Sequence, residues 1–303
     1  MIGRCLDAGD SIRVIAKHLL RGVSTVSEEI SSNGGRYVYD AERAHHRAYL
    51  KQHLKKRDCM KVALDSFLAK FVEVKLRLRW SPERIAGRLR REYPYAYASP
   101  KAIRKFAHSR GLESYLYRRG RPHVPKGSTN VAWQSERIFI DDPRCVRNGY
   151  GHWEGDFIVS SKSTAVLLVL VERTTKDTVI RWLPNRNNTR VREAIVAALR
   201  TKTVRSLTVD NDIAFVQHRK LASMIHSPVY FARPYCSTDK ALVENTNRWI
   251  RWFVTKKTDL RDVSKEKTAA IEEWFNSVPR RCLEFATSRE MVSLEELKIG
   301  CSY

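Results

Sequence analysis

The sequence predicts a multidomain protein in which N-terminal all-α helix-turn-helix units precede an α/β domain with a mixed sheet. Two observations predict this order. Apolar residues recur at helical spacing through the first 117 residues, and after residue 141 strand-like apolar runs alternate with helical ones. We therefore expect a helix-turn-helix domain over 1–60, a second one over 61–117, a basic linker over 118–140 and the α/β domain over 141–303.

The first helical pair is predicted by two short amphipathic runs. Ser11–Leu20 gathers its apolar residues on one face, and Ser24–Ser32 brings Val26 and Ile30 together. Leu20 occupies the turn position where glycine would be expected, and a positive φ is uncommon for a residue with a side chain. The two runs therefore predict a helix-turn-helix with an unusual turn residue.

The second helix of this pair is the expected recognition helix. Its first residues, Ser24, Thr25 and Ser27, are placed to meet base edges in a DNA groove. Serine is also a favoured helix cap, so a capping role for Ser24 is the first interpretation.

A second helical pair shows the same start signals twice. Ser81 and Ser99 are each followed by proline, which is favoured at the first position of a helix, and the apolar residues that follow share one face. The pattern predicts a second helix-turn-helix unit.

The segment 118–127, RRGRPHVPKG, is the core of the predicted linker. It holds four cations, two prolines and two glycines, a composition that disfavours regular structure and suits contact with a phosphate backbone. Arg118, Arg119 and Arg121 are therefore candidate DNA-binding residues.

Nine runs follow the linker in the order β-β-β-α-β-α-β-α-α. The predicted strands are Trp153–Ser160, Ala165–Glu172, Thr178–Leu183, Arg205–Val209 and Val229–Ala232, and the predicted helices are Thr189–Arg200, His218–His226, Ala241–Val254 and Lys265–Val278. Three strands followed by alternating units match the ribonuclease-H-like fold, in which helices cover both faces of a mixed sheet.

The charge balance points to a polyanionic partner. The 303 residues contain 56 Lys and Arg against 33 Asp and Glu, a formal net charge of +23, and the first 125 residues contribute +15 of it. The longest strongly apolar run, Ala165–Val171, is far shorter than the roughly 20 residues of a membrane-spanning helix. We expect a cytoplasmic protein without a membrane partner.

Three acidic residues stand at positions where a sheet can bring side chains together. Asp156 lies in the first predicted strand, Asp210 directly follows the fourth, and Glu244 lies in the first turn of a helix. Helical spacing places Arg248 and Arg251 on the face that carries Glu244, where they can hold a DNA phosphate.

Three converging carboxylates repel one another unless a cation balances them. Hard oxygen ligands with few protein contacts suit Mg²⁺, which also takes phosphate oxygens as ligands. Two such ions can promote an in-line phosphoryl displacement. The residues therefore predict metal-dependent chemistry on nucleic acid.

Several motifs follow one another in an order that spans nearly the whole chain. They are SIRVIAKHL, STVSEEI, WSPERIAGRL, YRRGRP, GHWEGD, TVDND, ARPY, ENTNRWIR and KKTDL. In addition, 33 residues separate Asp210 from Glu244. In these motifs, their joint order and this separation, the chain resembles the insertion-sequence-30 family of bacterial DDE transposases.

The resemblance implies a function. Asp156, Asp210 and Glu244 would be the catalytic, metal-binding triad, with Mg²⁺ as cofactor and Mn²⁺ as a substitute. The helix-turn-helix units would recognise the terminal inverted repeats of an insertion sequence. Cleavage at the element's end and strand transfer into target DNA would follow, by a homo-oligomer assembled on double-stranded DNA in the nucleoid of a bacterial cytoplasm.

Several departures from the family pattern leave alternatives open. Asp212 replaces the family's usual glycine and is a rival metal ligand, and Glu154 could support the metal site or be a solvated strand residue. The chain also begins almost inside its first expected helix, so we expect a further segment upstream. The alternatives are an inactive transposase remnant that acts as a DNA-binding protein or repressor, and a nuclease without strand transfer.

Overall fold

The computed structural model describes residues 1–59, 61–117, 137–233 and 236–301, with side chains for all of these except residues 53–59 and 237. Backbone contacts divide the chain into two compact units, residues 1–74 with 98–113, and residues 75–97 with 114–303. The domain boundaries that the sequence suggests stay predictions. The linker arginines Arg118, Arg119 and Arg121 lie outside the described residues.

The N-terminal part of the chain is helical, as predicted. Its helices are α1 (Ile2–Asp7), α2 (Ile12–His18), α3 (Val23–Ser32), α4 (Ala41–Cys59), α5 (Lys61–Leu64), α6 (Ser66–Arg77), α7 (Pro82–Glu92) and α8 (Pro100–Ser109). By the division of backbone contacts, α7 belongs to the second unit and α8 to the first.

Helices α2 and α3 form the first predicted helical pair. The Ser11 hydroxyl caps α2, and the buried side chains of Ile15, Val26 and Ile30 form the core between the helices. Leu20 adopts a φ of 52° and leaves its side chain 90% exposed. The expected positive φ at this turn is therefore present, at a non-glycine residue.

The predicted cap of α3 is wrong. Gly22 is the N-cap residue and makes no side-chain hydrogen bond, so Ser24 already lies inside the helix. The glycine precedes the first helical residue, Val23, with an extended backbone, so the cap lies two residues earlier than predicted. Ser24, Thr25 and Ser27 all have exposed side chains.

The two Ser-Pro signals behave as predicted. The hydroxyl of Ser81 accepts a hydrogen bond from the Arg84 N–H, and that of Ser99 accepts one from the Ala102 N–H. Each following proline occupies the first turn of its helix, where a missing N–H costs nothing.

The α/β region contains a five-stranded mixed sheet. Its strands are β1 (His152–Ser160), β2 (Ser163–Glu172), β3 (Thr178–Leu183), β4 (Ser206–Val209) and β5 (Val229–Phe231). They lie in the order β3-β2-β1-β4-β5, in which β1, β2 and β3 are antiparallel neighbours and β4 and β5 run parallel to β1. The mixed sheet is the one that the sequence predicts.

Helices cover both faces of the sheet. The helices of this region are α9 (Asn188–Leu199), α10 (His218–Ile225), α11 (Ala241–Ile250), α12 (Lys265–Ser277) and α13 (Ser288–Gly300). Side chains of α9 and α10 pack on the face that carries Trp153 and Leu168, and those of α11 and α12 pack on the face that carries Leu167 and Val169. This arrangement confirms the predicted fold class.

Helix α11 ends four residues earlier than the sequence suggests, at Ile250, because the chain turns there. None of the helices in the described part of the chain is both long enough and apolar enough to span a membrane.

Candidate active site

Strands β1 and β4 bring Asp156 and Asp210 side by side. The two strands run parallel, and their register pairs Glu154 with Thr208. Asp156 lies two residues after Glu154 and is still in β1, and Asp210 lies two residues after Thr208, directly after β4. Open α/β sheets bind ligands at the carboxyl ends of their strands, so this edge of the sheet is the candidate site.

Helix α11 brings Glu244 to the same edge. Its apolar face packs on the sheet through Val243 and Ile250. Asn247, one turn after Glu244, donates a hydrogen bond from Nδ2 to Asp156 Oδ2 over 2.8 Å. The Asn247 bond therefore joins the helix that carries Glu244 to the strand that carries Asp156.

Lys240 lies between the two aspartates. Its Nζ is 3.2 Å from Asp156 Oδ1 and 3.5 Å from Asp210 Oδ2, and its side chain is 9% exposed. Burial lowers the pKa of Lys240, but the negative charges of Asp156 and Asp210 outweigh that effect and raise it. The ammonium group is therefore held as a cation between two acids.

The pKa values of two of the carboxyl groups, Asp210 and Glu244, are raised. Burial raises the pKa of Asp210, with Lys240 opposing the shift and Asp156 adding to it. Burial also raises the pKa of Glu244, again opposed by Lys240 and increased by Asp156. In both groups burial is the largest cause because it disfavours the ionised carboxylate, and the negative charge of Asp156 adds to it.

A divalent cation fits this set of side chains. Three carboxylates with one ammonium leave a formal charge of about −2, and oxygen donors are the ligands that Mg²⁺ prefers. Asn247 Oδ1 is buried without a hydrogen-bond partner in the described structure, so a further oxygen acceptor stands beside Asp156. Asp156, Asp210 and Glu244 do not gather within 4.8 Å of one another, and Lys240 separates the first two.

Glu154 is a buried anchor of this site. Its side chain is 2% exposed; one oxygen pairs with Arg173 Nη1 at 2.8 Å and the other accepts the Val243 N–H at 3.1 Å. Val243 lies in the first turn of α11, where a carboxylate satisfies a free amide and complements the helix dipole. Glu154 therefore fastens the start of α11 to β1, and the interpretation of a solvated strand residue is wrong.

The sequence is similar to those of known transposases. The chain is 31% identical to the transposase InsI for insertion sequence element IS30C of Escherichia coli K12, over 95% of this chain and 80% of that one. It is 30% identical to the transposase for insertion sequence element IS4351 of Bacteroides fragilis, over 92% of this chain and 89% of that one. The chain belongs to the insertion-sequence-30 family of transposases.

Two further comparisons describe this family member. No family model matches the chain. A search of solved structures matches it to the catalytic core domain of BIV integrase, with a TM-score of 0.40 and 18% identity over 50% of this chain and 98% of that one.

Asp212, the rival ligand in this transposase, is engaged elsewhere. Its carboxylate accepts the Ala214 N–H, which caps a short 3₁₀ turn, and it pairs with Arg186. Both Asp212 oxygens therefore have partners outside the three acidic residues of the site.

The two α11 arginines differ in their surroundings. Arg248 is exposed, whereas Arg251 donates from Nη2 to the Val159 carbonyl oxygen over 2.6 Å and keeps Nη1 buried without a hydrogen-bond partner in the described structure. Their contact with DNA stays a prediction, as does that of Ser24, Thr25 and Ser27.

Neither the position of Lys240 nor the hydrogen bond between Glu154 and α11 was predicted from the sequence. A lysine four residues before a candidate ligand on a helix was the available signal for the first. For the second, the alternation of β1 placed Glu154 on the face of Asp156 but could not show which helix covers it.

Proposed function

We propose that this chain is an active, Mg²⁺-dependent DNA transposase that binds the terminal inverted repeats of an insertion sequence and carries out strand cleavage and strand transfer. The observation that supports this proposal best is the pairing of Asp156 and Asp210 with the buried Lys240 ammonium group, beside Glu244, at one edge of the sheet. Family membership supplies the reaction class. Mn²⁺ is expected to substitute for Mg²⁺.

Asp156, Asp210 and Glu244 would hold the divalent cations. Such ions activate the attacking oxygen and stabilise the leaving oxygen of an in-line phosphoryl displacement. Asn247 orients the Asp156 carboxylate through its hydrogen bond, and Glu154 fixes the helix that carries Glu244. Water, and then the freed 3′-hydroxyl of the DNA, supplies the nucleophile.

The remaining residues would hold the DNA. Arg248 is exposed one turn after Glu244, where its guanidinium can contact a strand phosphate. The exposed start of α3 with Ser24, Thr25 and Ser27 would read base edges of the terminal repeat. Because two element ends are joined to one target, we propose a dimer or larger homo-oligomer on DNA.

The test is an oligonucleotide assay with a terminal repeat, which compares wild type with Asp156→Asn in Mg²⁺ and in EDTA and measures binding, cleavage and joining together. We expect metal-dependent cleavage and joining by wild type, and binding without chemistry by the variant. Cleavage without joined products would instead indicate a nuclease. Binding by wild type with no cleavage in either Mg²⁺ or Mn²⁺ would indicate an inactive remnant.

A further inference from the structure

The ammonium group of Lys240 stands where two of the three acidic residues face each other. Its Nζ is within 3.5 Å of oxygens from both Asp156 and Asp210, and 91% of the side chain is shielded from solvent, since 9% is exposed. These are the carboxylates that the proposed metal centre would offer to a shared cation. An ammonium and a metal ion cannot both take this position, because two cations in contact repel strongly.

We propose that Lys240 is a built-in counter-ion, which balances Asp156 and Asp210 in the metal-free protein and competes with the divalent cation for their carboxylates. This inference rests on the proposed function, because it requires that these residues bind a divalent cation. It adds a residue that sets how tightly the centre binds its metal.

Hydrogen bonds and a helix start hold the backbone on the two sides of Lys240. Release of the ammonium group from the two aspartates therefore involves the Lys240 side chain and not a refolding of this segment. The preceding residue, Asp239, is buried, and its carboxylate accepts bonds from the Arg233 N–H at 2.9 Å and Arg233 Nη2 at 2.9 Å. Arg147 donates to the Asp239 carbonyl oxygen at 3.2 Å. On the other side, α11 begins with the next residue. The competition requires the ammonium group to leave by rotation about the four-carbon stem of Lys240.

The charges around the site give the direction of the effect. Lys240 Nζ lies 3.2 Å from an Asp156 oxygen and 3.5 Å from an Asp210 oxygen, so its positive charge offsets the repulsion between the two carboxylates. Without the ammonium group, the positive charge between the Asp156 and Asp210 carboxylates is lost. Their repulsion then destabilises the metal-free protein. The same change removes a competitor, so a metal ion binds more tightly.

The experiment measures Mn²⁺ binding to the full chain without DNA, by electron paramagnetic resonance of the free ion, together with thermal unfolding in EDTA. Lys240→Met removes the charge and keeps an apolar stem of similar length. Lys240→Arg keeps the charge. Lys202→Met is the matched control, because Lys202 pairs with the buried Asp177 at 2.6 Å in the same unit and contacts none of the three acidic residues in the described hydrogen bonds and ion pairs.

We expect Lys240→Met to bind Mn²⁺ about tenfold more tightly than wild type and to unfold at a temperature about 3 °C lower in EDTA. Lys240→Arg should keep an affinity near that of wild type. Lys202→Met should lose stability without a change in Mn²⁺ affinity. Equal or weaker Mn²⁺ binding by Lys240→Met would overturn the proposal.

Asp156→Asn separates this inference from the proposed function. If Asp156→Asn abolishes Mn²⁺ binding but Lys240→Met does not strengthen it, the metal centre stands and the competition is refuted. If neither wild type nor Lys240→Met binds Mn²⁺ in an Asp156-dependent way, both proposals are refuted.

Discussion

Removal of the Glu154 carboxylate should weaken both the fold and the metal site. Glu154→Ala leaves the Arg173 guanidinium without its 2.8 Å partner and the Val243 N–H without its acceptor. Removal of one member of a buried ion pair costs about 3–5 kcal/mol. Glu154 is 2% exposed but Arg173 is 32% exposed, so water recovers part of that loss and we expect about 3 kcal/mol.

The assay is thermal unfolding with Mn²⁺ affinity measured on the same samples. A loss of about 3 kcal/mol lowers the unfolding temperature by about 6–12 °C in a domain of this size. Mn²⁺ binding should weaken as well, because the released end of α11 carries Glu244. Glu154→Gln keeps an oxygen for the Val243 N–H and should show an intermediate loss.

The matched control is Glu193→Ala, since Glu193 is an exposed glutamate on α9. Its unfolding temperature should stay within the change of about 0.5 kcal/mol that is typical of surface substitutions. The reasoning is refuted if Glu154→Ala unfolds at the wild-type temperature, or if it binds Mn²⁺ as tightly as wild type.

Three further predictions concern other parts of the chain. Gly87→Ala should destabilise the second unit by about 1–2 kcal/mol in thermal unfolding, because a Cβ there would overlap the Phe285 ring, whereas Gly300→Ala, with open space around its Cβ, should be neutral. Hydrogen bonds from Arg88 lower the pKa of Glu290 to about 2 from 4.5, so the stability that this pair contributes is present above pH 4.5 and is lost as the pH falls towards 2. Glu290→Gln should therefore flatten the pH dependence of unfolding between pH 4.5 and 2. An unchanged slope would contradict the assignment. Leu20→Gly should relieve the positive φ and slow hydrogen exchange of the α2 and α3 amides about fivefold, and equal or faster exchange would contradict it.

The elements of the sheet could be predicted from the sequence because their apolar runs are bounded by clear turn and cap signals. β3 was predicted with its observed bounds, Thr178–Leu183, and a mixed sheet was predicted from three strands ahead of the alternating units, whereas the strand order was not predicted. The positions of Asp156 and Asp210 on neighbouring strands follow from that order.

Other elements lacked a periodic signal or depended on tertiary contacts. Helix α13 was missed although Thr287 and Glu290 form a capping box at its start, a spacing that is readable in the sequence. Its apolar residues are spread around the helix, with only Ser288 buried, so periodicity did not mark it.

Only part of the site was predictable, because some of its contacts depend on tertiary packing. Lys240 faces Asp156 and Asp210 because of the way the turn before α11 packs. The local sequence around Lys240 does not show this packing. The engagement of Asp212 by Arg186 likewise joins residues 26 positions apart.

The measurement that tests the account most directly is anomalous diffraction from crystals of the full chain grown with terminal-repeat DNA and Mn²⁺. The account predicts a Mn²⁺ peak within about 2.0–2.3 Å of carboxylate oxygens of both Asp156 and Asp210, with Lys240 Nζ moved away from them. A peak bound elsewhere, or Lys240 still paired with both aspartates in the presence of Mn²⁺ and DNA, would contradict it.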